Sequence, residues 1–299
     1  MSQAGRVATP PLVPVLAVVG VGLIGGSFAA ALRERGAVGR VLGVGRQRGS
    51  LMQALKLGLI DEIATLEQAA SQADLIMLSA PVGATQSLLE GLLPFLRADT
   101  LVTDAGSTKA DVVQAARAAL GDRIAQFIPG HPVAGAEKAG PEAADPGLYR
   151  ARKVVLTPLP ENRNTDREHL TRVWEACGAQ VMVMEPEVHD KVLASVSHVP
   201  HFLSSVFMWQ VATAADSDLR MALAASGFRD FTRISAGSAE VWRDIFLSNR
   251  AAVLSELKEV KDALLRAEQA LEDADGPALE KFLERAATAR RLWGSRSGM

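Results

Sequence analysis

The 299-residue chain has a single cysteine, Cys177, so an intrachain disulfide is excluded and the fold must be held by packing, as suits a reducing compartment. It also lacks any imbalance of charge. Its 32 Lys and Arg stand against 34 Asp and Glu, and a net charge of -2 gives no field that would draw nucleic acid or an anionic membrane. A small polar ligand is the partner this balance favours, with no nucleic acid and no membrane, and the expected location is cytoplasmic. Charged side chains are absent altogether from Val7 to Leu32, a length that a signal peptide or membrane span also has. However, Pro10, Pro11 and Pro14 interrupt it, as do Gly20, Gly22, Gly25 and Gly26, and no basic cluster precedes it. Such a segment reads as strand, tight turn and buried helix.

What the chain does have is apolar residues, 48% of the total, enough for two domains with a core each. From Val15 to about Met184, short apolar runs alternate with helix-length amphipathic segments, the pattern of α/β layering. The strand candidates are 16–19, 41–44, 74–78, 100–103, 125–128, 153–156 and 180–184. Most are too apolar for a sheet with one wet face. The expected fold is therefore a Rossmann-type, doubly wound, mostly parallel sheet over residues 15–185, preceded by a loose arm (1–14). After Pro186 the composition turns to Ala, Leu, Glu, Arg and Lys without strand signals, so residues 186–299 read as an all-helical domain for substrate and dimerisation. Its longest helix is expected from about Ala239 to Glu272, with Val253, Leu257, Val260 and Leu264 at i, i+4, i+7 and i+11. That stripe predicts a homodimer surface; the alternative is a core helix within one subunit.

Gly20-Val21-Gly22-Leu23-Ile24-Gly25 follows the first strand and opens a helix. In that position the glycines allow a tight turn, close approach of the backbone to a pyrophosphate, and close packing of helix on sheet. The second strand of such a unit usually ends in an acid that binds the ribose hydroxyls of NAD. Here it ends in Gly45-Arg46-Gln47-Arg48, and no Asp or Glu occurs between Glu34 and Asp61. Arginine there suits the 2′-phosphate of NADP, with NAD as the alternative cofactor and a pair of solvated arginines as the bland one. Ala80-Pro81 and Ser107 lie after later strands, at the edge where open α/β sheets bind ligands; Ser107 also fits a helix N-cap.

Pro129-Gly130-His131-Pro132 reads as a loop in which prolines stiffen the backbone around one histidine, the candidate acid or base. Ser197 and His201 share a helical face at i, i+4. His198 and His201 lack a third ligand, so no metal is expected. The charged and aromatic stretch from Gly227 to Arg233 suits either a surface loop or a rim that binds carboxylate.

Together GVGLIGGS (20–27), DAGSTK (104–109), GHPVAGAEKAG (130–140), SHVPH (197–201), GFRDFTRI (227–234) and WRDIF (242–246) resemble, in order, the prephenate/arogenate dehydrogenase family. The resemblance implies an oxidoreductase that decarboxylates a cyclohexadienyl acid in tyrosine biosynthesis. It implies His131 as the catalytic base, Ser107 orienting it beside the cofactor, and Arg233 on a substrate carboxylate. His201, Ser197, Trp242 and Glu137 are implied as further substrate residues. The monofunctional form is expected, without an appended regulatory domain or fused mutase. Rival readings are another two-domain Rossmann dehydrogenase of β-hydroxyacid or pyrroline-carboxylate type, and a non-catalytic NADP-binding sensor. Neither gives a reason to pair a base at His131 with a carboxylate clamp at Arg233.

Overall fold

A computed structural model describes residues 10–135 and 138–297. The first half alternates strand and helix: β1 (Val13–Val19), α1 (Leu23–Glu34), β2 (Val38–Val44), α2 (Arg48–Lys56), β3 (Glu62–Ile63), α3 (Leu66–Gln72), β4 (Leu75–Leu78), α4 (Thr85–Leu92), β5 (Leu101–Asp104), α5 (Ala110–Leu120) and β6 (Phe127–Ile128). These strands form one parallel sheet in the order β3-β2-β1-β4-β5-β6, the dinucleotide-binding order, whose direction of winding reverses beside β1. Burial on both faces follows from side chains alternating along each strand. Leu16 and Val18 pack with Phe28, Leu32 and Trp174 on one side, whereas Ala17 and Val19 pack with Ala69, Leu89 and Val112 on the other. On the first side the Phe28 and Trp174 rings lie 4.6 Å apart, and the buried Tyr149 donates its hydroxyl to the Ile24 carbonyl at 2.6 Å.

Three local expectations are corrected. β1 begins at Val13, paired with Val38, so the end of the expected arm already belongs to the sheet. Residues Gly121–Gln126 wind as 3-10 turns, leaving β6 only two residues. His131 is not in a loop but in β7 (Gly130–Pro132), antiparallel to β8 (Lys153–Leu156) with His131 opposite Val155. The flanking prolines favour extended backbone, which a strand uses as well as a stiff loop does. After α6 (Asn164–Ala176), β9 (Gln180–Val183) adds parallel to β8 and closes this second, three-stranded sheet. Gly36, Gly58, Gly121 and Gly178, which follow α1, α2, α5 and α6, all have the positive φ that suits a helix end.

Beyond Val183 the described residues are helical: α7 (Pro186–Leu193), α8 (Val199–Ala212), α9 (Ser217–Ala222), α10 (Ser226–Thr232), α11 (Ala239–Ser248), α12 (Arg250–Glu272) and α13 (Gly276–Ser297). A π-helical turn, Ala194–His198, joins α7 to α8. The stretch Pro186–Ala212 is long and apolar enough to cross a membrane by composition, yet it buries His189, Asp190, His198 and His201 against protein. The single long helix expected over 239–272 is broken at Asn249, whose buried side chain bonds across to the α7 end. The apolar stripe divides too: Val253 packs on Ala194 and Val199 inside the subunit, whereas Leu264 is exposed.

Candidate active site

The carboxyl ends of β1, β4 and β5 face α11 across a cleft of about 240 Å³, lined by Ile24, Ser79–Val82, Ala105–Ser107, Val241, Asp244 and Ile245. Ile24, Ala80, Pro81 and Ser107, all singled out in the sequence, are thus brought together. Gly20 has φ +97°, and a Cβ there would stand 2.7 Å from the Ser79 carbonyl oxygen. Gly25 is held closer still, since a Cβ would collide with Ser79 Oγ, which donates to the Gly20 carbonyl at 2.7 Å. Gly22, by contrast, faces open space. It precedes α1, whose N-terminus at Leu23 has neither a side-chain cap nor an acid in its first turn. Unsatisfied N–H groups and a bare backbone facing space fit a pyrophosphate, and the chain binds NAD(P). At the end of β2, Gly45, Arg46 and Gln47 are exposed where α2 begins. The next acid, Asp61, is engaged elsewhere, accepting from the Val41 N–H at 2.8 Å and from Arg33 at 2.9 Å.

Below the cleft lies a fully buried ion pair. Lys109 Nζ donates to Asp104 Oδ2 and, at 2.7 Å, to the Gly130 carbonyl, while Asp104 accepts the N–H groups of Gly106 (2.7 Å) and Gly130 (3.0 Å). The pair therefore ties the Ser107 loop to the strand that carries His131. With both Asp104 oxygens engaged and Lys109 Nζ donating twice, such burial fixes geometry more than it adds stability.

Within that frame His131 Nδ1 lies 2.8 Å from Nε2 of His189, whose Nδ1 lies 2.8 Å from Asp190 Oδ1. Asp190 accepts the backbone N–H of Lys109 at 2.8 Å and that of Ala110 at 2.9 Å, so it caps α5 from the helical domain. Ser107 does not cap α5, whose N-cap is Lys109. Burial opposes the Asp190 charge, but the His189 hydrogen bond and those backbone donors hold its carboxyl below the usual range. Burial, and after it His189, Lys109 and His198, push the His131 imidazole well below its ordinary value. His131 is consequently neutral at pH 7, with a lone pair to offer.

The substrate candidates sit on neighbouring helices. His201 is buried and stacked on Trp242, ring centroids 3.5 Å apart and planes 14° from parallel. Ser197 is half-buried in the π turn, which rotates it relative to the α-helical spacing expected with His201. The segment from Ser226 to Thr232 is helix α10 rather than a surface loop, and Arg233 opens a 3-10 turn after it with its side chain exposed. Glu137 lies outside the described residues. Among the described residues no group of three or more His, Cys, Asp or Glu is placed to hold a metal ion.

His189, Asp190, Asp104, Lys109 and Asn249 are functional or supporting residues that sequence reasoning did not single out. The available signals were local: adjacent His189-Asp190 on the helix opened by Pro186, and an acid ending β5 five residues before Lys109. Neither reveals its partner, because the contacts span 81 residues for Asp190 to Lys109 and 58 for His131 to His189.

Comparison with known proteins matches both halves. A family model described as prephenate dehydrogenase, nucleotide-binding domain, covers residues 28–183, and one described as prephenate dehydrogenase, dimerization domain, covers 185–285. A prephenate dehydrogenase of Lactococcus lactis is 34% identical over 269 residues, 89% of this chain and 74% of that protein. The crystal structure of prephenate dehydrogenase from Aquifex aeolicus with hydroxyphenyl propionate and NAD+ superposes with a TM-score of 0.88 at 33% identity, covering 93% of this chain and 98% of the other. Synechocystis arogenate dehydrogenase gives a TM-score of 0.81 at 30% identity, covering 93% and 99%.

Proposed function

The chain belongs to the prephenate dehydrogenase family, and from that premise we propose that the cleft beside α11 oxidises and decarboxylates prephenate to 4-hydroxyphenylpyruvate, arogenate to tyrosine, or both. The protein is an NAD(P)-dependent oxidoreductase of tyrosine biosynthesis. The observation that carries the site assignment is His131: neutral, on β7, and linked through His189 to a helix-capping carboxylate.

In this reading His131 accepts the proton of the substrate's ring hydroxyl, work that a positioned general base accelerates by about 10²–10⁴-fold. When bound, the nicotinamide supplies the acceptor for the hydride leaving the same carbon. Gly20, Gly22, Leu23, Ile24 and Gly25 would hold the pyrophosphate, and Ala80, Pro81 and Ser107, which line the cleft, would receive the nicotinamide, with Ser107 assigned by family resemblance to orient the base. Arg233 meets a substrate carboxylate; His201, Ser197 and Trp242 shape the ring pocket, with Glu137 assigned by family resemblance. Loss of CO2 restores an aromatic ring, which makes the overall reaction effectively irreversible.

Four finer assignments belong to the same proposal. NADP is the preferred cofactor, supported by the missing acid after β2 and by Arg46 in its place. The assembly is a homodimer, supported by exposed Leu264, Leu265, Phe282, Leu283 and Trp293 on α12 and α13. The domains divide at 185/186, and the location is cytoplasmic. Incubating purified protein with prephenate or arogenate and either cofactor, while following nicotinamide absorbance and CO2, tests the activity. Equimolar reduced cofactor and CO2 is the expected result; no reduction with either acid refutes it.

A further inference from the structure

We propose that His189 is a positioning residue which fixes the tautomer of His131, so that the lone pair of the base stands at Nε2. This rests on His131 being the base, as proposed above, and it follows from counting donors along the relay. Asp190 accepts two backbone N–H groups at the start of α5, so it is a carboxylate that can only accept. His189 Nδ1, 2.8 Å from Asp190 Oδ1, must then carry the hydrogen. In a neutral ring that leaves His189 Nε2 as an acceptor. Its neighbour 2.8 Å away, His131 Nδ1, must therefore donate, and His131 Nε2 is left bare.

The order of dependence is unusual in that a helix cap sets a catalytic tautomer. Backbone N–H groups of Lys109 and Ala110 keep Asp190 accepting, Asp190 orients His189, and His189 orients His131. A hydrogen placed on His189 Nε2 instead would reverse the polarity of the pair. With a hydrogen on His189 Nε2, the hydrogen bond survives only if His131 Nδ1 accepts, which places the remaining His131 hydrogen on Nε2 and abolishes the base. The charged and titratable groups facing the two rings are Asp190, Lys109 and His198, with Asp104 held by Lys109.

During turnover the substrate hydroxyl proton arrives at His131 Nε2, and the imidazolium keeps its Nδ1 hydrogen bond to His189. No further proton need move. Asp190 stabilises the charge without being protonated.

Two substitutions separate this role from simple packing. His189→Gln places an amide oxygen near the former Nε2 and still accepts from His131, whereas His189→Asn keeps a donor toward Asp190 but falls short of His131. The expected outcome is kcat within about tenfold of wild type for His189→Gln and a fall of about 10²-fold or more for His189→Asn, with KM and cofactor binding within about threefold in both. Long-range 1H–15N correlation spectra of histidine-labelled protein near neutral pH supply the second readout, with resonances assigned by single substitutions among the five histidines. They should show His131 protonated at Nδ1 and bare at Nε2. A His131 protonated at Nε2 overturns the proposal even if no variant folds, and so does an equal loss of kcat in folded His189→Gln and His189→Asn. Failure of wild-type protein to oxidise either acid overturns the assigned reaction instead, and leaves the spectra to decide the tautomer.

Discussion

Asn249 donates its side-chain amide to the Asp190 carbonyl at 2.7 Å and stands 3.1 Å from Nδ1 of His198. Both amide hydrogens are thereby engaged, and His198 Nδ1 is an acceptor inside the helical domain. Protonating it would set an N–H against an N–H in a buried place. Burial lowers His198 from 6.5 to about 4, against the attraction of Asp190 and with help from His189.

Stability should accordingly depend on pH below neutrality. Between about 4 and 6.5 the unfolded chain binds a proton at this histidine that the folded chain refuses, so the stabilisation is complete above 6.5 and is lost as pH falls toward 4. One group shifted this far contributes roughly 2–4 kcal/mol. His131 and His201 are lowered too and add to the same slope. Urea unfolding at several pH values should show a shallower decline for His198→Gln than for wild type; parallel curves would contradict the assignment.

His131→Asn should lower kcat by about two to four orders of magnitude while cofactor affinity stays nearly intact, because the cradle at Gly20–Gly25 is built from the turn between β1 and α1, apart from the strand of His131. Near-normal turnover in that variant sinks the role of the base.

Arg233→Ala should mainly raise KM. A charge-assisted contact formed in the ground state is worth about 1.5–3 kcal/mol, or about 10- to 150-fold. Unchanged KM with a collapsed kcat is incompatible with a carboxylate clamp.

The parts of the site legible in the sequence are those whose chemistry is local. The turn at Gly20–Gly25 sits within six residues between a strand and a helix, and the β4 and β5 edges follow from where apolar runs stop. The buried relay is of another kind. His189-Asp190 has a meaning only when α7 docks on the start of α5, and Asn249 looks like an ordinary helix residue until its amide is seen to reach Asp190 and His198. Helical periodicity continues on both sides of it, from Val241 and Ile245 to Val253 and Leu257, which is why one helix was expected where two exist. β3 escapes detection for the opposite reason: two residues, Glu62 and Ile63, carry no pattern.

Dimerisation can be tested at the surface left uncovered. Leu264 and Phe282 are 65% and 50% exposed, more apolar area than single scattered residues would leave, on helices long enough to pair with a second copy. Sedimentation at micromolar concentration should give a dimer that Leu264→Asp combined with Phe282→Asp weakens. A wild-type monomer refutes the assembly.

Cofactor choice turns on Arg46. A carboxylate after β2 would bind the ribose hydroxyls of NAD and repel the 2′-phosphate of NADP. Here Gly45 occupies the strand end and Asp61 is already engaged by Arg33 and the Val41 N–H, so the repulsive element is gone. Absence of an acid alone gives a permissive site; preference requires an attractive partner. Arg46 is exposed beside the α2 N-terminus, and a guanidinium there can grip a phosphate through charge-assisted hydrogen bonds of about 1.5–3 kcal/mol. One such contact gives about a 10- to 150-fold preference. Arg46→Ala should therefore reduce kcat/KM with NADP by that factor and leave the value with NAD nearly unchanged. If wild type uses NAD as well as or better than NADP, or if the substitution leaves the ratio between them where it was, Arg46 is a solvated surface residue and the preference lies elsewhere.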